Sequence, residues 1–102
     1  MPLQRFEWDP VKGAANVRKH GISFETAVRA FADPFALIVP DRIEGGEQRW
    51  HTFGVVDGYM MLLVVHTTWD EDEAGDTVEI IRIISARRAD RKERQRYEDE
   101  AR

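Results

Sequence analysis

The chain has 102 residues, 42% of them apolar and 33% charged, with a formal net charge of −4. That describes one domain over residues 1–102, with enough apolar material for a core and too little length for two. Cysteine is absent, which excludes a disulfide framework, a thiolate metal site and a thiol nucleophile. The acidic excess argues against general nucleic-acid binding, since phosphate binders usually carry surplus cations. The charge is uneven, however. Acids crowd into Asp70-Glu71-Asp72-Glu73 with Asp76, and again into Glu98-Asp99-Glu100, whereas residues 87–96 hold six basic residues against Asp90 and Glu93. The start of the chain lacks an apolar signal core, and the longest apolar run, residues 59–65, is too short to span a bilayer. A cytoplasmic protein with no membrane segment is the expectation.

In chain order, residues 3–8 read as a short strand. Asp9-Pro10 opens a helix, with Asp9 accepting backbone N–H bonds and Pro10 fitting the first helical position. The helix runs to about His20, where Gly21 supplies the left-handed residue that ends it. Ser23 caps a second helix whose stripe Phe24, Ala27, Val28 and Phe31 has the spacing of a buried face, and Asp33-Pro34 stops it. Strands are expected over 35–39, 49–56, 59–68 and 78–85, with Asp57-Gly58 as a hairpin turn and the acidic stretch 69–76 as a loop. The runs 59–65 and 80–84 are apolar on both faces, which predicts central strands covered on both sides. Asp90 and Glu93 form a capping pair for a last helix to about Ala101. The fold class is α+β: two N-terminal helices, an antiparallel β-meander and a C-terminal helix.

The candidate chemistry lies in three places. Lys12, Asn16, Lys19 and His20 recur at three to four residues and so share a polar helix face, with Lys19 and His20 at the carboxyl end that favours positive charge. They form either a phosphate clamp with His20 as general acid or a solvated face with a basic cap. In the last strand, alternation puts Arg82 on the face of Ile80, Ile84 and Ala86, Arg87 on the opposite face, and Arg88 back on the first. An arginine in so apolar a run needs an acid partner or lines a cleft for an anion. Glu47, Arg49 and His51 share one face at period two, as an acid/base and phosphate site or as a surface cross-strand set. His66 reads as a structural histidine. No glycine-rich phosphate loop, HExxH helix or nucleophile elbow occurs, and the three histidines lack metal-ligand spacing, so neither cofactor nor metal is expected. A toolkit of Lys, Arg, His and Glu suits RNA cleavage, where the substrate's own 2′-hydroxyl attacks and the protein moves protons and stabilises charge.

An ordered set of short motifs runs over nearly the whole chain: Phe6-Glu7-Trp8-Asp9-Pro10-x-Lys12; Asn16-x-x-Lys19-His20-Gly21-x-Ser23-Phe24-Glu25-x-Ala27; Phe31-x-Asp33-Pro34; Gly46-Glu47-x-Arg49; Ile81-Arg82-Ile83-Ile84-Ser85-Ala86-Arg87; and Glu93-Arg94-x-x-Tyr97-Glu98. Taken together they resemble the BrnT toxins, partners of the BrnA antitoxins. The resemblance implies a RelE-like fold, metal-independent endonucleolytic cleavage of RNA leading to growth arrest, and a tight complex with a ribbon-helix-helix antitoxin. DNA would be met only through that antitoxin, in repression of the shared promoter. Carried onto this chain, the resemblance points to Lys19, His20, Glu47, Arg49, Arg82 and Arg87. Arg49, Arg82 and Arg87 are expected to clamp the scissile phosphate and His20 or Glu47 to move protons, while Lys12, Lys19, Arg88 and Arg91 hold the RNA. In one respect the chain departs from the pattern. Where many relatives carry an arginine, around positions 67–69, it runs on into Trp69-Asp70-Glu71-Asp72-Glu73, and acids beside a phosphate site repel RNA. The competing expectation is therefore an inactive relative that serves as a scaffold for the DNA-binding partner.

Overall fold

A computed structural model of the chain describes residues 3–100, in which five strands form one sheet of order β1-β5-β4-β3-β2. In chain order these are β1 (Leu3–Glu7), α1 (Pro10–His20), α2 (Phe24–Val28) continued by a 3-10 turn (Arg29–Ala32), β2 (Leu37–Glu44), β3 (Glu47–Val56), β4 (Met60–Glu73), β5 (Asp76–Arg88) and α3 (Arg91–Glu100). The expected end of the last helix at Ala101 lies outside the described residues. Asp9 and Ser23 accept hydrogen bonds from Val11 and Thr26 as caps, and Gly21 closes α1 at φ 72°. No helix among the described residues is long and apolar enough to cross a membrane.

The sheet is mixed rather than a plain antiparallel meander. β2 to β5 do form a meander, but β1 pairs parallel to β5 at the far edge. The helices carry the chain from the β1 edge to the β2 edge, so β5 finishes beside β1 and runs in its direction. The acidic stretch is also ladder rather than loop. Asp70, Glu71, Asp72 and Glu73 pair with Glu79, Val78, Thr77 and Asp76 around a turn whose residues, Ala74 and Gly75, both have positive φ. Such turns match the twist of the strands they join and let pairing run to the tip; Asp57-Gly58 does the same between β3 and β4.

One face of the sheet carries α1, α2 and the 3-10 turn. Phe24, Ala27, Ala30, Val56, Leu62, Val64 and Ile83 form its core. The approach is closest at Gly54, where an added Cβ would lie 2.9 Å from the carbonyl carbon of Ala30 and nearer still to its oxygen. Asn16, expected on a polar helix face, is instead buried. Its amide donates to the carbonyls of Ala86 and Ile22 and accepts from the N–H of Ala86. β1 pairs with β5 only as far as Arg82, so the Asn16 side chain supplies the backbone partners that Ala86 lacks. On the other face Phe53 and Leu63 are packed beneath Tyr97 of α3, and Thr67, Val78 and Ile80 are buried as well. The expectation of central strands covered on both sides thus holds at one end of the sheet and fails at the other, because α3 is short.

Candidate functional site

The uncovered part of that second face gathers most of the charged candidates, and a bulge in β5 is what gathers them. Val65 pairs with Ser85 but His66 pairs with Ile83, which leaves Ile84 as an extra residue. A regular strand would put Arg82 and Arg87 on opposite faces, as alternation predicts. The extra residue reverses the parity. Arg82 lies opposite Thr67, Ser85 opposite Val65 and Arg87 opposite Leu63, so all three share the open face, while Ile83 and Ala86 turn into the helix-side core. Arg88 points to the helix side, opposite Leu62.

β3 contributes from the next strand but one. His51 pairs with Val65 and Phe53 with Leu63, and alternation brings Arg49 and Glu47 to the same side. Arg49 and Arg82 therefore flank Thr67 from the two neighbouring strands, with their Cα atoms about 10 Å apart at the usual strand spacing. Trp69 lies one step further along β4, and the guanidinium of Arg82 is 5.3 Å from its ring centre. The surface thus presents three arginines, a histidine, the hydroxyl of Ser85 and an indole, while the Thr67 hydroxyl beneath them is buried without a hydrogen-bond partner.

Each cation has an acid beside it. Arg82 meets Glu7 at 3.3 Å, Arg49 meets Glu44 at 3.2 Å, and His51 Nε2 meets Asp41 at 3.1 Å. Arg82 is exposed rather than buried, so its acid partner is a surface one. Arg87 is the most firmly held. Its two terminal nitrogens donate to the two oxygens of Glu93 at 2.8 and 2.9 Å. Glu93 also accepts from the N–H of Asp90, whose carboxylate accepts from the N–H of Glu93, the reciprocal cap that the spacing predicts. Burial pushes the Glu93 carboxyl up, but the Arg87 hydrogen bond and the Asp90 N–H outweigh it and hold it below its ordinary value. The same contact raises Arg87.

A second polar hub anchors α3. Asp33 accepts from the Tyr97 hydroxyl at 2.6 Å, from Val55 N–H at 2.8 Å and from Phe35 N–H at 2.9 Å. Burial raises the Asp33 carboxyl, yet these three donors together bring it below its usual range. Tyr97 is pushed up to about 12, by burial first and then by the adjacent carboxylate.

Of the helix-side candidates, Lys19 and His20 stand apart. Lys12 lines a cleft of about 330 Å3 at the start of α1 that reaches Arg82, Glu7 and Asp9. Lys19 is exposed and His20 half-buried at the other end of α1, roughly 12 Å along the helix. Among the described residues no hydrogen bond or ion pair joins either to Arg49, Arg82 or Arg87. Glu47 is exposed at the start of β3, opposite Glu44, and Arg91 is exposed at the start of α3. His66 is buried, hydrogen-bonded through Nε2 to Thr52 at 2.7 Å and packed edge-on against Phe31. Glu7, Trp69 and the Arg87 partner Glu93 join the site only in the structure. For the last a signal existed: Glu93 and Tyr97 are four residues apart and so turn the same side of α3 to the sheet.

The geometry defines a small single-sheet α+β domain, with α1 and α2 on one side and, on the other, a cation-bearing face that α3 covers only in part. A family described as "Ribonuclease toxin, BrnT, of type II toxin-antitoxin system" matches residues 8–93, and the chain belongs to that family. The crystal structure of the Brucella abortus ribonuclease toxin, BrnT, shares its fold, with a TM-score of 0.60 at 20% identity over 87% of this chain and 99% of that one. No curated protein matches the chain. Membership makes it a member of a ribonuclease-toxin family and implies an antitoxin partner.

Proposed function

We propose that the chain is a RelE-like, metal-independent endoribonuclease that cleaves RNA on the open sheet face and is neutralised by a ribbon-helix-helix antitoxin. The observation that carries this reading is the bulge at Ile84, without which Arg82 and Arg87 do not share a face. Arg49, Arg82 and Arg87 hold the scissile phosphate and offset the charge that develops on it. The exposed Arg82–Glu7 pair contributes at most about 1 kcal/mol, so trading the carboxylate for a phosphate costs little. Proton transfer falls to His51, steadied by Asp41, or to Glu47, both on the same face as Arg49. His20 and Lys19, with Lys12, Arg88 and Arg91, then guide the RNA backbone from outside that face. The attacking group is the 2′-hydroxyl of the substrate, so the products carry 2′,3′-cyclic phosphate and 5′-hydroxyl ends.

Incubating the purified chain with RNA in excess chelator tests this directly. Cleavage to cyclic-phosphate ends is expected, with at least a hundredfold loss in Arg82→Ala and Arg87→Ala. Cleavage that needs an added divalent ion, or that is indifferent to both substitutions, refutes the proposal. A second reading, a scaffold with little activity, has its own support. Arg49, His51, Arg82 and Arg87 each have an acid within ion-pair distance, and the acidic end of the β4–β5 hairpin adjoins Arg82 along the strand. Under it the chain leaves RNA intact yet still binds its partner, and the complex represses the shared promoter through the antitoxin.

A further inference from the structure

The sheet extends beyond the helices that cover its first face. Past Phe31, which forms the end wall, a groove of about 200 Å3 runs across the bare strands, lined by Ile38, Trp50, His66, Ile81 and Glu79. Its floor is apolar, and Ile38 at its β2 side is 55% exposed. His66 Nδ1 in the wall is buried without a hydrogen-bond partner. This groove and the cationic face are on opposite sides of the sheet.

The rim of the groove is acidic in an unusual way. Glu79 is fixed by two neutral donors, Gln4 at 2.8 Å and Thr68 at 3.2 Å, and no cation pairs with it among the described residues. Directly across the ladder from it is Asp70, another carboxylate, on the same side of the sheet. Like charges facing each other across a strand pair are destabilising. Glu7, Asp41, Glu44 and Glu73 in the same sheet each have an arginine or histidine within ion-pair distance; among the described residues this pair has none. An apolar trough bordered by uncompensated carboxylates is complementary to a segment with large apolar side chains on one stripe and lysines or arginines beside it. A second copy of this chain does not answer that description. A two-fold contact would set Glu79 and Asp70 against themselves.

We propose that this groove is the docking site for a basic amphipathic helix of the antitoxin, with one or two apolar side chains anchored between Phe31, Ile38 and Trp50 and a cation against Glu79 and Asp70. The proposal rests on the toxin–antitoxin reading. It separates the two sides of the sheet, RNA on one and partner on the other.

The groove chemistry is tested first with a synthetic 18-residue amphipathic peptide of leucine and lysine, titrated calorimetrically against the purified chain, with a leucine–glutamate peptide of the same pattern as control. The wild type is expected to bind the lysine peptide and not the glutamate one. Ile38→Arg, at an exposed position, should weaken binding roughly tenfold, and Glu79→Gln several-fold with a flatter salt dependence. If Glu79→Gln lowers the melting temperature, Asp70→Asn removes an exposed charge from the same rim. No binding by the wild type, equal binding of both peptides, or binding unchanged in Ile38→Arg overturns the proposal. In cells, Ile38→Arg should stay toxic but escape the antitoxin, and full neutralisation of it also overturns the proposal. The titration does not depend on nuclease activity. Failure of the ribonuclease reading would show separately, as intact RNA with a chain that still binds the peptide.

Discussion

The buried imidazole of His66 gives the fold a dependence on pH whose sign and size follow from its surroundings. The side chain is 3% exposed. Burial is the main cause that lowers its pKa from the ordinary 6.5 to about 4. In the folded chain it stays neutral until about pH 4, whereas in the unfolded chain it takes a proton below about 6.5. Between those values the unfolded state binds more protons, so stability is complete above pH 6.5 and is lost as the pH falls towards 4. The loss from this residue is about 3 kcal/mol, a large part of what a domain of this size usually has. Urea unfolding from pH 7.5 to 4.5, on the wild type and on His66→Gln, isolates it. The glutamine variant keeps a partner for Thr52, and every other group is common to the two proteins. The wild type should lose about 2–3 kcal/mol more than the variant across that range. Parallel curves for the two proteins refute the reasoning. Asp33 and Glu93, both held below their usual carboxylate values, act in the same direction but at lower pH. Their contribution is present above about pH 4 and is lost only below it, outside the window of His66.

Three further outcomes are expected. Gly54→Ala drives a methyl group into the Ala30 carbonyl, with backbone on both sides; it should cost about 2–3 kcal/mol and lower the melting temperature by roughly 10 °C or more, and an unchanged melting temperature would show that the 3-10 turn does not press on β3. Tyr97→Phe removes one of the three donors to Asp33 and should cost about 1–2 kcal/mol, read by thermal unfolding, while the Asp33 carboxyl resonance titrates at higher pH than in the wild type. Among the histidines, His51→Ala should reduce RNA cleavage far more than His20→Ala; the reverse order would move proton transfer to the helix side.

What the sequence revealed, and what it hid, divides along a physical line. Local signals translated directly. The caps at Asp9 and Ser23, the left-handed Gly21, the Asp57-Gly58 turn and the Asp90–Glu93 pair are decided by neighbours within a few residues, and each forms as its spacing implies. Pairing over long distances was not legible. Nothing in Ile83-Ile84-Ser85 marks a bulge, since any of the three would suit a regular strand. Yet that one extra residue decides which face Arg87 occupies. Acidity concealed the β4–β5 extension, because charged residues weaken a strand reading even where a two-residue turn holds the register. Asn16 looked like a surface amide because its partner, Ala86, is 70 positions away. The same limit applies to the site. Arg49 and Arg82 are identifiable as candidates from their own strands, but Glu7 as the partner of Arg82 appears only once β1 pairs with β5.

RNA binding to the open face through Arg49, Arg82 and Arg87 underlies the proposed cleavage. Its most direct test is a titration of the chain with a short RNA whose attacking 2′-hydroxyls are replaced by hydrogen, following arginine side-chain and backbone signals by NMR. The guanidinium signals of Arg49, Arg82 and Arg87 should shift together with the amides of Thr67, Ser85 and His51, while those of Ile38 and Trp50 stay still. Shifts gathered at Lys19 and His20, with the three arginines unmoved, would contradict it.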